Sequence, residues 1–210
     1  METYSTEEER LEALQRWWKE NKNSIFYGLL LGLALIAGWR MWQGNKQETA
    51  QQASLAYHQL NEALQDKQND SALKQAERLI QQYPSTTYAE FARLFMARLK
   101  VEAGDLDAAR KILEEELSHS KDESLKHIVR LRLARVMLAK GEVDPALKLL
   151  DVVPAASIGK FEAQYAEVRG DLLAAAKRPG EARAAYAKAK ELGDVSPMIE
   201  LKLNDLPAAP

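Results

Sequence analysis

The side chains best suited to proton or metal chemistry at neutral pH are three histidines, His58, His119 and His127. They are scattered, and no second histidine stands three or four positions from any of them, so each reads as a surface residue. The acidic run Glu114-Glu115-Glu116 reads as the solvated face of a helix. The chain has no cysteine, which excludes a thiolate metal site and a disulfide framework and fits an oxidising compartment. There is no glycine-rich phosphate loop after a strand, no nucleophile elbow and no Ser/His/Asp arrangement. No metal site, no cofactor and no enzymatic activity are therefore expected.

Binding is the better class. Arg98 and Arg135 stand 37 positions apart, each among apolar neighbours. A guanidinium presents a donor fork that grips a carboxylate or a backbone carbonyl. Phe91, Leu94, Ile128, Leu131, Leu138 and Gln164, extended by His58 and Asn61, complete a candidate groove for an extended or amphipathic segment. Several of these apolar residues would serve a core equally well. The paired Lys and Asn that would clamp a C-terminal carboxylate are missing. A formal net charge of −2, without a Lys/Arg cluster, argues against nucleic acid.

A groove needs elements to hold it. Apolar residues make up 46% of the 210 and charged residues 29%, so the bulk is globular. Ala, Leu, Glu, Lys, Arg and Gln dominate and period-two runs are missing, which makes the fold all-α. Three turns recur, at Gly104-Asp105, Gly141-Glu142 and Lys177-Arg178, spaced by 37 and 36 residues. Such a period marks an α-solenoid of helical hairpins. Small residues stand where paired helices must touch, Ala97 with Ala109, Ala134 with Ala146, and Gly170 with Ala182. Leu113, Leu150 and Tyr186 follow four positions on, and Ala189 adds a further small contact.

These repeats resemble tetratricopeptide repeats. They depart from that family in their longer period and in Arg93 and Arg130, which stand where a large aromatic is expected. An earlier hairpin is expected from Glu48–Gln65 and Ala72–Tyr83, the second helix stopped by Pro84. Ser120-x-x-Glu123 predicts a capping box. Ser196-Pro197 predicts a short final helix covering the end of the stack.

Ahead of the repeats, SIFYGLLLGLALIAGWRMW (Ser24–Trp42) carries one charge, Arg40, near its end. As a helix, Ile25–Trp42 would rise about 27 Å, close to the roughly 30 Å of a bilayer core. Trp39 and Trp42 at one end, and Trp17, Trp18 and Tyr27 at the other, suit the interfaces. A core helix would need a surrounding shell, and Trp39-Arg40-Met41-Trp42 is a poor cleavage context for a signal peptide. The expectation is a transmembrane helix over 23–43, a cytoplasmic amphipathic arm over 1–22 with a capping box at Ser5 or Thr6, a repeat domain over 44–203 and a flexible tail over 204–210. Arg10, Arg16, Lys19 and Lys22 before the span outnumber Arg40 and Lys46 after it, which places the N-terminus in the cytoplasm. Gly28, Gly32, Ala34 and Gly38 would let a partner helix approach closely.

The acidic arm, the WWKEN turn, the glycine-rich span ending in GWRMW and the divergent repeats stand in one order along the whole chain. The combination resembles the ancillary subunit family of the bacterial Sec translocon. That resemblance implies a single-pass type II protein of the cell inner membrane with its C-terminal domain in the periplasm. It implies association with SecYEG and with a membrane-anchored periplasmic prolyl-isomerase-like chaperone, and chaperone-like help to exported polypeptides. It also implies a link to a response regulator of envelope stress. Two alternatives stay open: a scaffold that self-associates through Gly28 and Gly32, and a regulator acting through the cytoplasmic arm.

Overall fold

The computed structural model describes residues 7–193 and 196–207. The expected cap at Ser5 or Thr6 lies outside the described residues. Among the described residues every regular element is helical, and the chain forms two compact units, one up to Gln52 and one from Ala53.

The first unit consists of helix α1 (Glu7–Gln65) as far as Gln52. No proline interrupts it, and its polar residues bond along the helix instead of breaking it. Asn21 Nδ2 donates to the Trp17 carbonyl (2.9 Å) and Thr49 Oγ1 to the Asn45 carbonyl (2.7 Å). The helix expected to start at Glu48 is thus the last part of α1. The apolar stretch is long and apolar enough to cross a membrane, and none of its 18-residue window is buried. Nothing in the described structure covers it, which removes the reading as a core helix. Trp39 and Trp42 stack with centroids 5.2 Å apart, and Lys46 Nζ lies 5.4 Å from the Trp42 ring.

The second unit is a run of helical hairpins. The end of α1 pairs with α2 (Asn69–Gln82), α3 (Thr87–Glu102) with α4 (Leu106–His119), and α5 (Glu123–Ala139) with α6 (Val143–Asp151). After the short helix α7 (Ala155–Ile158) and a 3-10 turn (Gly159–Phe161), α8 (Glu162–Ala175) pairs with α9 (Pro179–Leu192), and α10 (Ile199–Asn204) packs against α9.

One device closes all four hairpins. Lys67, Gly104, Gly141 and Lys177 have φ of 55°, 78°, 76° and 58°. At each, the N–H of the left-handed residue bonds the carbonyl three residues back. The next N–H bonds five back, as in Gln68 to Ala63 and Arg178 to Leu173 (both 2.9 Å). This is the Schellman arrangement, which satisfies the last carbonyls of each first helix. The first of the four, at Lys67, closes the expected earlier hairpin and extends the 37-residue spacing backward by one repeat.

The expected small contacts are all buried: Ala97, Ala109, Ala134, Ala146, Gly170 and Ala182. At Gly170 the fit is tightest, since a Cβ there would stand 2.4 Å from the Tyr186 ring. Leu113, Leu150, Tyr186 and Ala189 fill the layer behind. A second cluster joins Leu60 of α1, Ala72, Ala76 and Leu79 of α2, and Ala89, Ala92 and Leu99 of α3.

Four local expectations fail. The cap of α5 is Asp122, which accepts from the Ser124 and Leu125 N–H groups, while Ser120 caps the end of α4 and donates to Glu90. Glu116 does not face solvent; it is 1% exposed, and Arg93 Nη1 donates to its Oε2 at 3.1 Å. His127 is buried beneath the α7 segment, not on the surface. Residues Leu206 and Pro207, expected in a loose tail, accept hydrogen bonds from Arg183 through their carbonyls.

Candidate partner-binding groove

The first helices α3 and α5 stand side by side with α4 beneath them, and a cleft of about 430 Å³ opens between them. Leu94, Ala97, Val101, Leu106, Val136 and Ala139 make it apolar. Leu113 also lines it, and its charged lining is Arg98, Glu102, Arg132 and Arg135. The helical repeat explains the arrangement: Leu94, Ala97, Arg98 and Val101 recur at three- and four-residue intervals, so they share one face of α3. Arg132, Arg135, Val136 and Ala139 do the same on α5.

The charges are unevenly matched. Arg98 Nε donates to Glu102 Oε1 at 2.7 Å. Among the described residues no carboxylate lies within ion-pair distance of Arg132 or Arg135. Burial, and then the like charges of Arg135 and Arg98, hold the Arg132 guanidinium below the ordinary arginine value.

Of the expected groove residues, the cleft brings together Leu94, Arg98 and Arg135. Leu131 is 4% exposed and belongs to the core; Ile128 and Leu138 pack against that core half-buried. Phe91 joins a separate shelf of rings, with Tyr57 6.2 Å from it and Tyr57 also 5.5 Å from Tyr88 and 6.1 Å from Phe95. His58 is exposed beside Glu62, at 3.4 Å, and Asn61 is half-buried nearby on α1. Gln164 is half-buried on α8, away from the cleft. The sequence reading missed Arg132, although its place three residues before Arg135 sets both on one helix face.

The two other repeat-equivalent arginines do different work. Arg93 crosses from α3 to the buried Glu116 of α4, and Arg130 Nη1 lies 3.5 Å from the Tyr165 hydroxyl. They replace the large aromatic expected at this position with polar links between helices. Glu116 keeps its carboxyl above the usual carboxylate range because burial outweighs the Arg93 charge. His127 is fully engaged, with Nδ1 2.9 Å from the Tyr165 hydroxyl and Nε2 3.2 Å from the Ser157 carbonyl. These contacts make it a structural link between α5, α7 and α8.

On the apolar helix, a Cβ added at Gly28, Gly32 or Gly38 would meet nothing within 4 Å, and Ala34 is exposed. The Gly28/Gly32 and Ala34/Gly38 pairs are both open within the described structure.

Comparison with known proteins places these features. Residues 15–208 match the tetratricopeptide repeat-like domain family. The ancillary SecYEG translocon subunit of Haemophilus influenzae is 37% identical over 207 residues, covering 97% of this chain and 99% of the relative. The corresponding Escherichia coli subunit is 33% identical over 210 residues, covering 98% and 99%. Among solved structures, Pseudomonas aeruginosa PilF superimposes with a TM-score of 0.60 at 16% identity, over 76% of this chain and 69% of that one. A MamA double mutant gives 0.58 at 17% identity, over 73% and 82%. These two likenesses are of fold alone. With a matching repeat domain and two relatives aligned from end to end, the chain belongs to the tetratricopeptide repeat-like family of ancillary SecYEG translocon subunits.

Proposed function

We propose that this chain is a membrane-anchored protein-binding module that works beside the Sec translocon and assists newly exported polypeptides. The observation that carries the proposal is one chain holding both an uncovered apolar helix and a solenoid groove, in full-length likeness to translocon subunits. Residues 23–43 span the inner membrane, residues 1–22 stay in the cytoplasm, and the hairpins from residue 44 onward stand in the periplasm. The excess of Lys and Arg ahead of the span supports that orientation. Anchoring restricts the groove to the membrane surface and raises its effective concentration at the channel without adding a contact. SecYEG and a membrane-anchored prolyl-isomerase-like chaperone are the partners in this reading. The role is binding, not catalysis.

The test is affinity capture of the full-length protein from detergent-extracted membranes. SecYEG subunits in the captured material, at levels above those of an unrelated single-span protein, support the reading; their absence defeats it. The open glycine face favours a second, subordinate reading as a self-associating scaffold. Replacing Gly28 and Gly32 with Leu should abolish self-association while the channel stays bound. Loss of both together would make the scaffold primary.

A further inference from the structure

The α3/α5 cleft has a charge balance that a purely apolar peptide groove does not need. Three arginines and one glutamate line it, and the glutamate answers only Arg98. The local excess is positive in a chain whose formal net charge is −2. Arg132 and Arg135 are one helical turn apart on α5 and Arg98 stands on the α3 wall, so cations flank the apolar surface from both sides. Like charges crowded beside low-dielectric walls repel, and an incoming anion relieves that repulsion while gaining charge-assisted bonds. Burial first, and then the charges of Arg135 and Arg98, lower the proton affinity of Arg132.

We propose that this cleft recognises polypeptide segments in which Asp or Glu flanks bulky apolar side chains. The apolar groups seat on Leu94, Val101 and Val136, and the carboxylates are forked by Arg132 and Arg135. The inference rests on the protein-binding reading above and adds what the bound segment carries. A polypeptide fits better than an anionic lipid, because the cleft accommodates one or two side chains and not a pair of acyl tails. Arginines spaced along one wall suit carboxylates spaced along a chain better than a single terminal carboxylate.

The experiment uses the full-length protein in detergent micelles and three short fluorescein-labelled peptides, read by fluorescence anisotropy. One peptide alternates Asp and Glu with Leu and Val, one replaces the acids with Asn and Gln, and one replaces them with Lys. The acidic peptide should bind at least about tenfold more tightly than the amide peptide, and the advantage should shrink as salt rises. Arg132→Gln combined with Arg135→Gln should remove most of that advantage with helical content unchanged, and Arg169→Gln, on α8, should leave it intact. Equal binding of all three peptides, or no effect of the double variant, overturns the inference. Displacement of the acidic peptide by phosphatidylglycerol added to the micelles, but not by phosphatidylcholine added the same way, also overturns it and assigns the cleft to lipid. Capture of SecYEG by the double variant separates the two proposals. Retained capture with lost peptide discrimination supports the inference and leaves the translocon reading standing. If the wild-type protein discriminates peptides but captures no SecYEG, the inference holds and the translocon reading fails.

Discussion

Lys67 and Lys177 carry a conformational burden that Gly104 and Gly141 avoid. All four residues have left-handed backbones at equivalent turns, and a Cβ there crowds the following carbonyl. Lys67→Gly and Lys177→Gly should each stabilise the repeats by up to about 1 kcal/mol, net of glycine's larger unfolded-state entropy. Gly141→Ala should cost about 1 kcal/mol or more. Urea unfolding of the full chain followed by circular dichroism reads all three, and a stability loss in the lysine variants would contradict the shared turn geometry. At Gly170 the constraint is space instead of backbone angle. Gly170→Ala drives a methyl into the Tyr186 ring and should cost about 1–3 kcal/mol by forcing α8 and α9 apart. The glycine turns were legible because a positive φ selects Gly, and the turn at Lys177 because the repeat spacing pointed to it; which residue of the first hairpin's turn is left-handed was not, because nothing in a lysine side chain announces it. Glu116 and His127 were misread for a related reason. Each is buried by partners distant in sequence, Glu116 by Arg93 23 positions away and His127 by Tyr165 38 away, and periodicity carries no record of those pairings.

At the scale of elements, the hairpin pairs were legible because close helix approach demands small residues at fixed offsets, as at Ala97/Ala109 and Ala134/Ala146. The mode of attachment of α10 was not, because it depends on a charge cluster drawn from three helices. Lys202 Nζ donates to Glu167 Oε1 at 2.7 Å and lies 2.8 Å from Asp171 Oδ1, and the Tyr186 hydroxyl donates to that same Oδ1 at 2.8 Å. Burial alone would raise the Glu167 carboxyl, but Lys202 and the Ser196 N–H outweigh it and hold it below the usual range. A depressed carboxylate contributes stability above its unfolded pKa and loses it as pH falls through the folded value. Burial opposes the Lys202 charge, yet Asp171 and Glu167 raise its pKa overall. Its contribution is therefore full below the unfolded lysine value and disappears as pH climbs through the raised one. The α10 attachment should hold across neutral pH, loosen below the ordinary carboxylate range and loosen again in strong base. Hydrogen exchange should show α10 amides opening in acid ahead of those of α5. Lys202→Met should open them at pH 7, costing about 1–3 kcal/mol. Unchanged protection in that variant would mean that Ile199 and the Arg183 bonds to the chain beyond α10 suffice.

At the scale of the whole molecule, an apolar helix and a repeat domain are two solutions to two solvents, and one chain carries both. The helix exposes Phe26, Leu31, Leu35 and Trp39 on its surface, a burden in water and an asset in lipid. The second unit buries two apolar clusters and holds an Arg-lined cleft at its surface. The apolar run and the turn spacing announced this division from sequence alone; the cleft's third arginine, Arg132, was missed although its three-residue offset from Arg135 puts both on one face of α5. The central claim is that this cleft meets polypeptides at the Sec channel on the periplasmic side. The most direct test places a photo-crosslinking residue at position 135 of the full-length protein in living cells, with one at position 188 on α9 as a control site. Illumination should join position 135 to SecYEG subunits, the membrane-anchored chaperone or chains in export, and do so more strongly than position 188. Crosslinks from position 135 confined to cytoplasmic proteins, or none above the control, would contradict the account.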